Sequence, residues 1–293
     1  MRELRLTLLA PALLFAPLLL AQGPQTAFPS EGTDAPLDWA TTMPDALKRA
    51  GALDGGRLLV EIRDAQCPEC ERMEKLLYPS ASFRGFLKDK VPVRLLRGTP
   101  EADQLWTRYR LQTTPAWLVL STDLMLCGKL EGDTNQSTWI ESFFQSEKAW
   151  AAFLRAIDEE KASPADPARS FAVGEEAYRR YGDVMAERRF RKVSEDEQAP
   201  AELRARSLAY LATFALEARR LDDAAKALEK VLATSTDPAL LERAELRLAD
   251  VEIGRGDREK AAARLNAFVE KHPQSPLKAQ AEELLRLLHT ARP

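Results

Sequence analysis

Histidine, cysteine and glycine are scarce in this sequence: two, three and 13 among 293 residues. The two histidines, His272 and His289, lie far along the chain from every cysteine. A serine–histidine–acid triad needs a histidine beside its nucleophile, and neither histidine suits that role. A structural zinc site needs four ligands, which the three cysteines and two distant histidines do not supply; no metal is expected. No glycine-rich phosphate loop is present. Three cysteines are too few for a disulfide scaffold. Nor is there a basic excess: 42 Lys and Arg against 45 Asp and Glu leave a formal net charge of −3. Nucleic acid is therefore not an expected partner.

What is present is a normal globular balance, 45% hydrophobic and 30% charged residues, on a chain long enough for two domains. The start reads as an export signal over residues 1–21. Arg2 and Arg5 precede an apolar run, Leu6–Leu20, and Ala21 or Gly23 offers a small residue for cleavage. The run is about 15 residues, short for a bilayer-spanning helix of roughly 20. Export to the periplasm or secretion is expected, with anchoring by an uncleaved signal as the alternative. Export would put the cysteines in a disulfide-permissive compartment.

Residues 22–37 are rich in Pro, Gly, Ser and Thr and read as a flexible leader. Residues 38–50 carry Trp39, Met43, Ala46, Leu47 and Ala50 at helical spacing. Leu58 to Ile62 is a short apolar run fit for a buried strand. A helix is expected from Pro68 to Leu77, since proline suits a first turn. Val91–Leu96 reads as a strand, Glu101–Tyr109 as a helix, and Ala116–Leu120 with Leu124–Leu130 as a hairpin around Ser121-Thr122-Asp123. Strands alternating with helices and ending in an antiparallel pair imply a mixed central sheet with helices on both faces. Trp139, Phe143, Ser146, Trp150, Phe153 and Ile157 then follow one stripe, read as two helices broken near Ser146, a fair N-cap. The first domain is thus 38–161 and a linker 162–170.

Beyond the linker, residues 171–293 give helical periodicity and no strand signal. Arg220 to Ala225 lines up with Gly256 to Ala261 at an offset of 36, and Leu232 with Phe268. Pro238 and Pro273 close their units at nearly the same place. This pattern resembles a tetratricopeptide repeat. Such arrays need about three units to bury a continuous core, so residues 171–197 read as a degenerate earlier unit.

Cys67-Pro68-Glu69-Cys70 follows the apolar strand at a helix start. Thr113-Thr114-Pro115 stands just before the strand Ala116–Leu120, and Glu61 lies six residues before Cys67. On these features residues 57–132 resemble the thioredoxin superfamily, so the fold class expected is an α/β thioredoxin fold followed by an all-α helical-repeat domain. A thiolate at a helix N-terminus is stabilised by free backbone N–H groups and the helix dipole. The resemblance implies Cys67 as exposed nucleophile and Cys70 as buried resolving thiol. It implies a cis Pro115 that leaves the Thr114 backbone free for substrate, and Glu61 as proton shuttle for Cys70. Glu61 stands where Asp is more usual, and a solvated edge glutamate is the competing reading. Gln66 replaces the family's aromatic, and Pro68-Glu69 replaces Gly-Pro in the active dipeptide. Cys127 reads as a small buried hydrophobe.

The expectation is an exported thiol–disulfide oxidoreductase that acts on protein thiols or disulfides, with no cofactor beyond the Cys67–Cys70 disulfide. The repeats would bind a protein partner. The alternative is a non-catalytic adaptor whose repeats bind a partner and whose thioredoxin-like domain is structural.

Overall fold

The computed structural model describes residues 36–290. The signal and residues 22–35 of the leader lie outside the described residues. The first layer is a four-stranded sheet: β1 (Arg57–Arg63), β2 (Lys90–Leu96), β3 (Ala116–Ser121) and β4 (Leu126–Glu131), in the order β2-β1-β3-β4. β1 pairs parallel with β2 and antiparallel with β3, and β3 pairs antiparallel with β4.

Alternation along β1 and β3 divides the core in two. Leu58, Val60, Ile62, Leu118 and Leu120 point to a face covered by α1 (Met43–Ala50) and α4 (Pro100–Arg108). Leu59, Trp117 and Val119 point to the other face, against α2 (Pro68–Leu77), α3 (Ala81–Phe86) and the first half of α5 (Gln136–Ala162). The helices therefore lie on both faces of the sheet, as the sequence pattern implied.

Three local expectations are corrected. Residues 38–42 are not helical: Ala40 bridges to Val93, and α1 starts after the N-cap Thr42. β4 begins at Leu126 because Leu124 turns the chain in a left-handed conformation, φ 57°. Most instructive is α5, one helix of 27 residues with no break at Ser146. The Ser146 hydroxyl donates to the Ser142 carbonyl one turn back, so it serves the helix interior and caps nothing. Opposite it sits Gly128 of β4, where a Cβ would lie 2.7 Å from the Ser146 Cβ. Glycine there lets the helix run unbroken across the strand.

The chain from α5 to the next helix is only residues 163–166. Then come α6 (Pro167–Arg179), α7 (Asp183–Glu195), α8 (Ala201–Glu217), α9 (Leu221–Thr234), α10 (Pro238–Arg255), α11 (Arg258–Lys271) and α12 (Lys278–Thr290). They pair as α6–α7, α8–α9 and α10–α11, with α12 last. Each pair turns through one residue of positive φ: Tyr181, Arg219 and Gly256. The residue after each of these donates a hydrogen bond five residues back, Gly182 to Ala177, Arg220 to Ala215 and Asp257 to Glu252. Ala186, Ala224 and Ala261, all fully buried, lie in the first turn of the second helices. The true offset between the last two pairs is therefore 37, not 36. Ala224 matches Ala261 and Val231 matches Phe268, while Leu232 is only half-buried. The alignment slipped because the turn residue of the middle pair is Arg219, not a glycine. Residues 167–195 form the earlier pair that the array required.

The two regions share a core. α5 contributes Trp139 and Phe143 to the sheet core, then Phe153 and Ile157 to the core of α6 and α7. Met125, at the β3–β4 turn, is buried among Phe171, Phe190 and Val193. Leu126 N–H donates to the Arg180 carbonyl at 2.8 Å, and the Arg180 guanidinium donates to the Leu126 carbonyl at 3.0 Å. Tyr109 meets Tyr181 edge to face, with ring centroids 5.1 Å apart. No described helix is long and apolar enough to cross a membrane.

Candidate active site

The site stands where β1 delivers the chain to α2. Cys67 is the N-cap of α2, with Pro68 at its first turn, and its sulfur accepts the Cys70 N–H at 3.1 Å. A cap position leaves the first N–H groups of the helix directed at this sulfur, which is the arrangement that favours a thiolate. Cys67 and Cys70 are joined as a disulfide, their Cα atoms 5.2 Å apart. Cys67 is 5% exposed and Cys70 fully buried. Both are therefore buried in this oxidised state, and the exposed Cys67 that the resemblance implied is not what the structure shows: joined to Cys70, its sulfur is packed at the start of α2.

The Thr114–Pro115 peptide is cis. Since Ile62 pairs with Ala116, this loop sits at the end of the sheet from which Cys67 emerges. Two carboxylates hold it. Thr114 Oγ1 donates to Asp64 Oδ2 at 2.6 Å, tying the loop to the segment that leads into Cys67. Glu131 at the end of β4 accepts the backbone N–H groups of Gln112 and Thr113. Burial works against the Glu131 charge, but those N–H groups and Lys129 hold its carboxyl below the usual carboxylate range. On the other side, Arg72 of α2 pairs with Asp133 beyond β4. Pro68 and Glu69 are exposed on the first turn of α2.

Glu61 is fully buried in the central strand β1, which decides against a solvated edge glutamate. Its Oε2 accepts the Tyr78 hydroxyl at 2.8 Å and Arg94 Nε at 2.8 Å. Arg94 also donates to the Tyr78 oxygen at 2.9 Å. Arg63 stands 4.0 Å from Oε1, which is buried with no hydrogen-bond partner. Burial pushes the Glu61 carboxyl up from its ordinary value, and Arg94, Tyr78 and Arg63 offset part of that rise. Burial and the neighbouring Glu61 push the Tyr78 phenol up as well. One carboxylate oxygen is thus anchored by two hydrogen bonds, and the other, facing Arg63, accepts none.

Cys127 lies apart from the pair in β4, 4% exposed within the sheet core. Burial pushes its thiol up to about 12, so it is inert at neutral pH. Sequence reading missed Asp64, Glu131, Tyr78 and Arg94. Arg94 carried a signal: it is the one charge inside the apolar strand Val91–Leu96, in direct register with Glu61.

The fold and this site define a thioredoxin-like domain. It is joined to C-terminal tetratricopeptide-type repeats, and the tetratricopeptide-repeat family matches residues 243–275, the α10–α11 pair and the turn after it. Among solved structures, a thioredoxin from Thermus thermophilus is similar at 25% identity over 37% of this chain and 85% of its own, with a TM-score of 0.32. The DsbH oxidoreductase is similar at 16% identity over 39% and 86%, TM-score 0.31. A provisionally assigned disulphide-isomerase from Bacteroides thetaiotaomicron is similar at 20% identity over 40% and 95%, TM-score 0.35. No curated protein matches the sequence.

Proposed function

We propose that this chain is an exported thiol–disulfide oxidoreductase acting on protein thiols and disulfides through Cys67 and Cys70, with the repeats binding a protein partner. The observation that carries this reading is Cys67 at the N-cap of α2, disulfide-bonded to Cys70 and accepting its N–H.

From the oxidised state, a partner thiolate attacks Cys67 Sγ. A mixed disulfide forms, the Cys67–Cys70 bond breaks, and Cys70 leaves as a thiolate that takes a proton. A second partner thiolate then attacks the partner sulfur of the mixed disulfide. The partner gains a disulfide and Cys67 is released as a thiolate, stabilised by the helix N-terminus. Two electrons pass from the partner dithiol to the pair. The reverse sequence reduces a partner disulfide, and the potential of the pair against its partners sets the direction. Glu61 exchanges the Cys70 proton through its free Oε1. The Thr114 backbone beside Pro115 receives an extended substrate segment, and Asp64 and Glu131 hold that loop in place. Export rests on Arg2, Arg5 and the apolar run Leu6–Leu20.

The test is turnover of a model disulfide protein. The parent should reduce insulin with dithiothreitol, or oxidise a reduced substrate protein, and Cys67→Ser should do neither. A parent no faster than the Cys67→Ser variant in both directions would leave the adaptor reading standing.

A further inference from the structure

Cys70, Glu74 and Tyr78 follow one another at intervals of four along α2, where Tyr78 is the C-cap. Residues so spaced share one stripe of a helix. The stripe that carries the resolving cysteine therefore carries two side chains that reach the surroundings of Glu61. Tyr78 is 8% exposed. Its ring is fixed by three aromatic neighbours, Trp39, Phe83 and Trp117, with centroids 5.2, 5.3 and 6.4 Å away. A buried tyrosine hydroxyl calls for a hydrogen-bond partner. Here that partner is a carboxylate on the central strand.

The contacts close on themselves. The Tyr78 hydroxyl donates to Glu61 Oε2 at 2.8 Å and accepts from Arg94 Nη2 at 2.9 Å, while Arg94 Nε donates to the same Oε2 at 2.8 Å. Arg94 lies over the Trp39 ring, 4.5 Å from its centroid, and reaches Glu74 at 3.4 Å. Glu74 also accepts from Arg63 at 2.9 Å. The charged and titratable groups that face Glu61 are thus Arg94 from β2, Tyr78 from α2 and Arg63 from β1 itself; β3 supplies the uncharged Trp117 opposite. Arg63 stands 4.0 Å from Oε1 and makes no hydrogen bond to it. Tyr78 and Arg94 together hold one oxygen only. Burial and the adjacent Glu61 push the phenol up. The hydroxyl therefore keeps its proton at neutral pH and acts as a donor throughout.

We propose that Tyr78 is a positioning residue for the Cys70 step: its hydroxyl holds Glu61 by Oε2 and leaves Oε1 as the oxygen that exchanges the Cys70 proton. The proposal rests on the role given to Glu61 above and adds the group that aims it. When Cys70 leaves as a thiolate, the proton passes from Glu61 Oε1 to Cys70 Sγ; in the reverse direction it returns to Oε1. Tyr78 neither gains nor loses a proton. A hydrogen bond to an ionised carboxylate is stronger than one to its neutral form. The hydroxyl therefore favours the carboxylate against the burial that opposes it.

Tyr78→Phe tests this, since it removes the hydroxyl and keeps the ring with its three aromatic contacts. Two readouts on the full chain are followed from about pH 5 to 9. The first is the infrared band of the protonated Glu61 carboxyl, identified by its absence from Glu61→Gln. The second is thiol–disulfide exchange with dithiothreitol, quenched and read by mass spectrometry. Each rate is divided by that of Glu61→Gln, so that the reagent's own ionisation cancels. In Tyr78→Phe the midpoint of the band should rise by about one pH unit, and that of the Glu61-dependent rate should rise with it. In the Glu61→Gln background the same substitution should change the exchange rate less than about twofold. Phe143→Leu loosens the same core through Trp139 and Phe86 and should leave both midpoints in place. Unmoved midpoints in Tyr78→Phe, an undiminished effect in the Glu61→Gln background, or an equal shift in Phe143→Leu would each overturn the proposal. So would an unfolded Tyr78→Phe, since the hydroxyl would then be structural. A band that shifts while the parent exchanges no faster than Cys67→Ser would instead overturn the redox reading, and the role of Tyr78 in exchange with it.

Discussion

The sheet end that holds Cys67 and the helical array that follows it are built on opposite principles. The array repeats itself: three left-handed turns at Tyr181, Arg219 and Gly256, and three buried alanines, Ala186, Ala224 and Ala261, set its geometry. Small residues and apolar contacts do this, and its charged groups stay mainly at the surface. The active end repeats nothing. It depends on single polar contacts between segments distant in sequence: Glu61 with Tyr78 and Arg94, Thr114 with Asp64, and Glu131 with residues 112–113. Packing errors should therefore damage the array's stability, and polar errors should damage the chemistry at the sheet end.

The largest stability effect expected is at Phe190. It is fully buried and stacks on Tyr210, centroids 4.2 Å apart and planes within 2°. Phe190→Ala should cost about 3–5 kcal/mol in urea unfolding. Disulfide exchange per folded molecule should be unchanged; a matching loss of rate would break the division just drawn. Met125→Ala comes next, at about 2–3 kcal/mol. This residue of the sheet domain is buried in the helical core, so both regions should lose stability together. A melt in which only the helices shift would show that the shared core does not couple them.

Glu61→Gln probes the polar end. Because the Glu61 carboxyl is raised in the folded chain, the native state holds a proton that the unfolded chain releases earlier. That contribution to stability is full below the unfolded value and is lost as pH rises through the folded value. The parent should lose stability over that window, and Glu61→Gln should flatten the slope. Exchange near neutral pH should slow about tenfold or more if Glu61 moves the Cys70 proton. Unchanged rates from pH 6 to 9 would remove that role. The smallest effects test the repeat register. Gly256 has φ 82° with open space around it, so Gly256→Ala should cost about 1 kcal/mol by backbone strain alone. At the equivalent Arg219, φ 58°, a change to glycine should be neutral or stabilising by a few tenths of a kcal/mol. A cost at Gly256 with none at Arg219 supports their equivalence, and a comparable cost at both denies it.

The same contrast explains what the sequence made legible. Strand and helix order followed from apolar periodicity, which depends on local residues. The helix start at Cys67-Pro68 and the loop at Thr114-Pro115 were readable because each is a local signal. α3 was missed because six residues are too few for a period to emerge. Ser146 misled because a serine that caps and one that bonds back to Ser142 look alike in sequence; Gly128, 18 residues earlier, makes the difference. The repeat register slipped by one because glycine marks a left-handed turn in sequence and Arg219 does not. Glu61 and the lone charge of Arg94 stood out in their apolar strands, but their pairing with each other and with Tyr78, and the ties to Asp64 and Glu131, were out of reach, since each joins residues that only the fold brings together.

The central claim is that Cys67 attacks and Cys70 resolves, and trapping tests it most directly. Removing Cys70 deletes the intramolecular release step and leaves the attacking thiol at the N-cap of α2. A Cys70→Ser variant, expressed with its N-terminal segment, should accumulate covalent adducts that run as higher-mass bands and vanish on reduction. Cys67→Ser should accumulate none, and Cys127→Ser should behave like the parent, since that thiol is buried and its pKa is raised to about 12. Adducts of the same proteins in both Cys70→Ser and Cys67→Ser, or adducts in neither, would contradict the assignment.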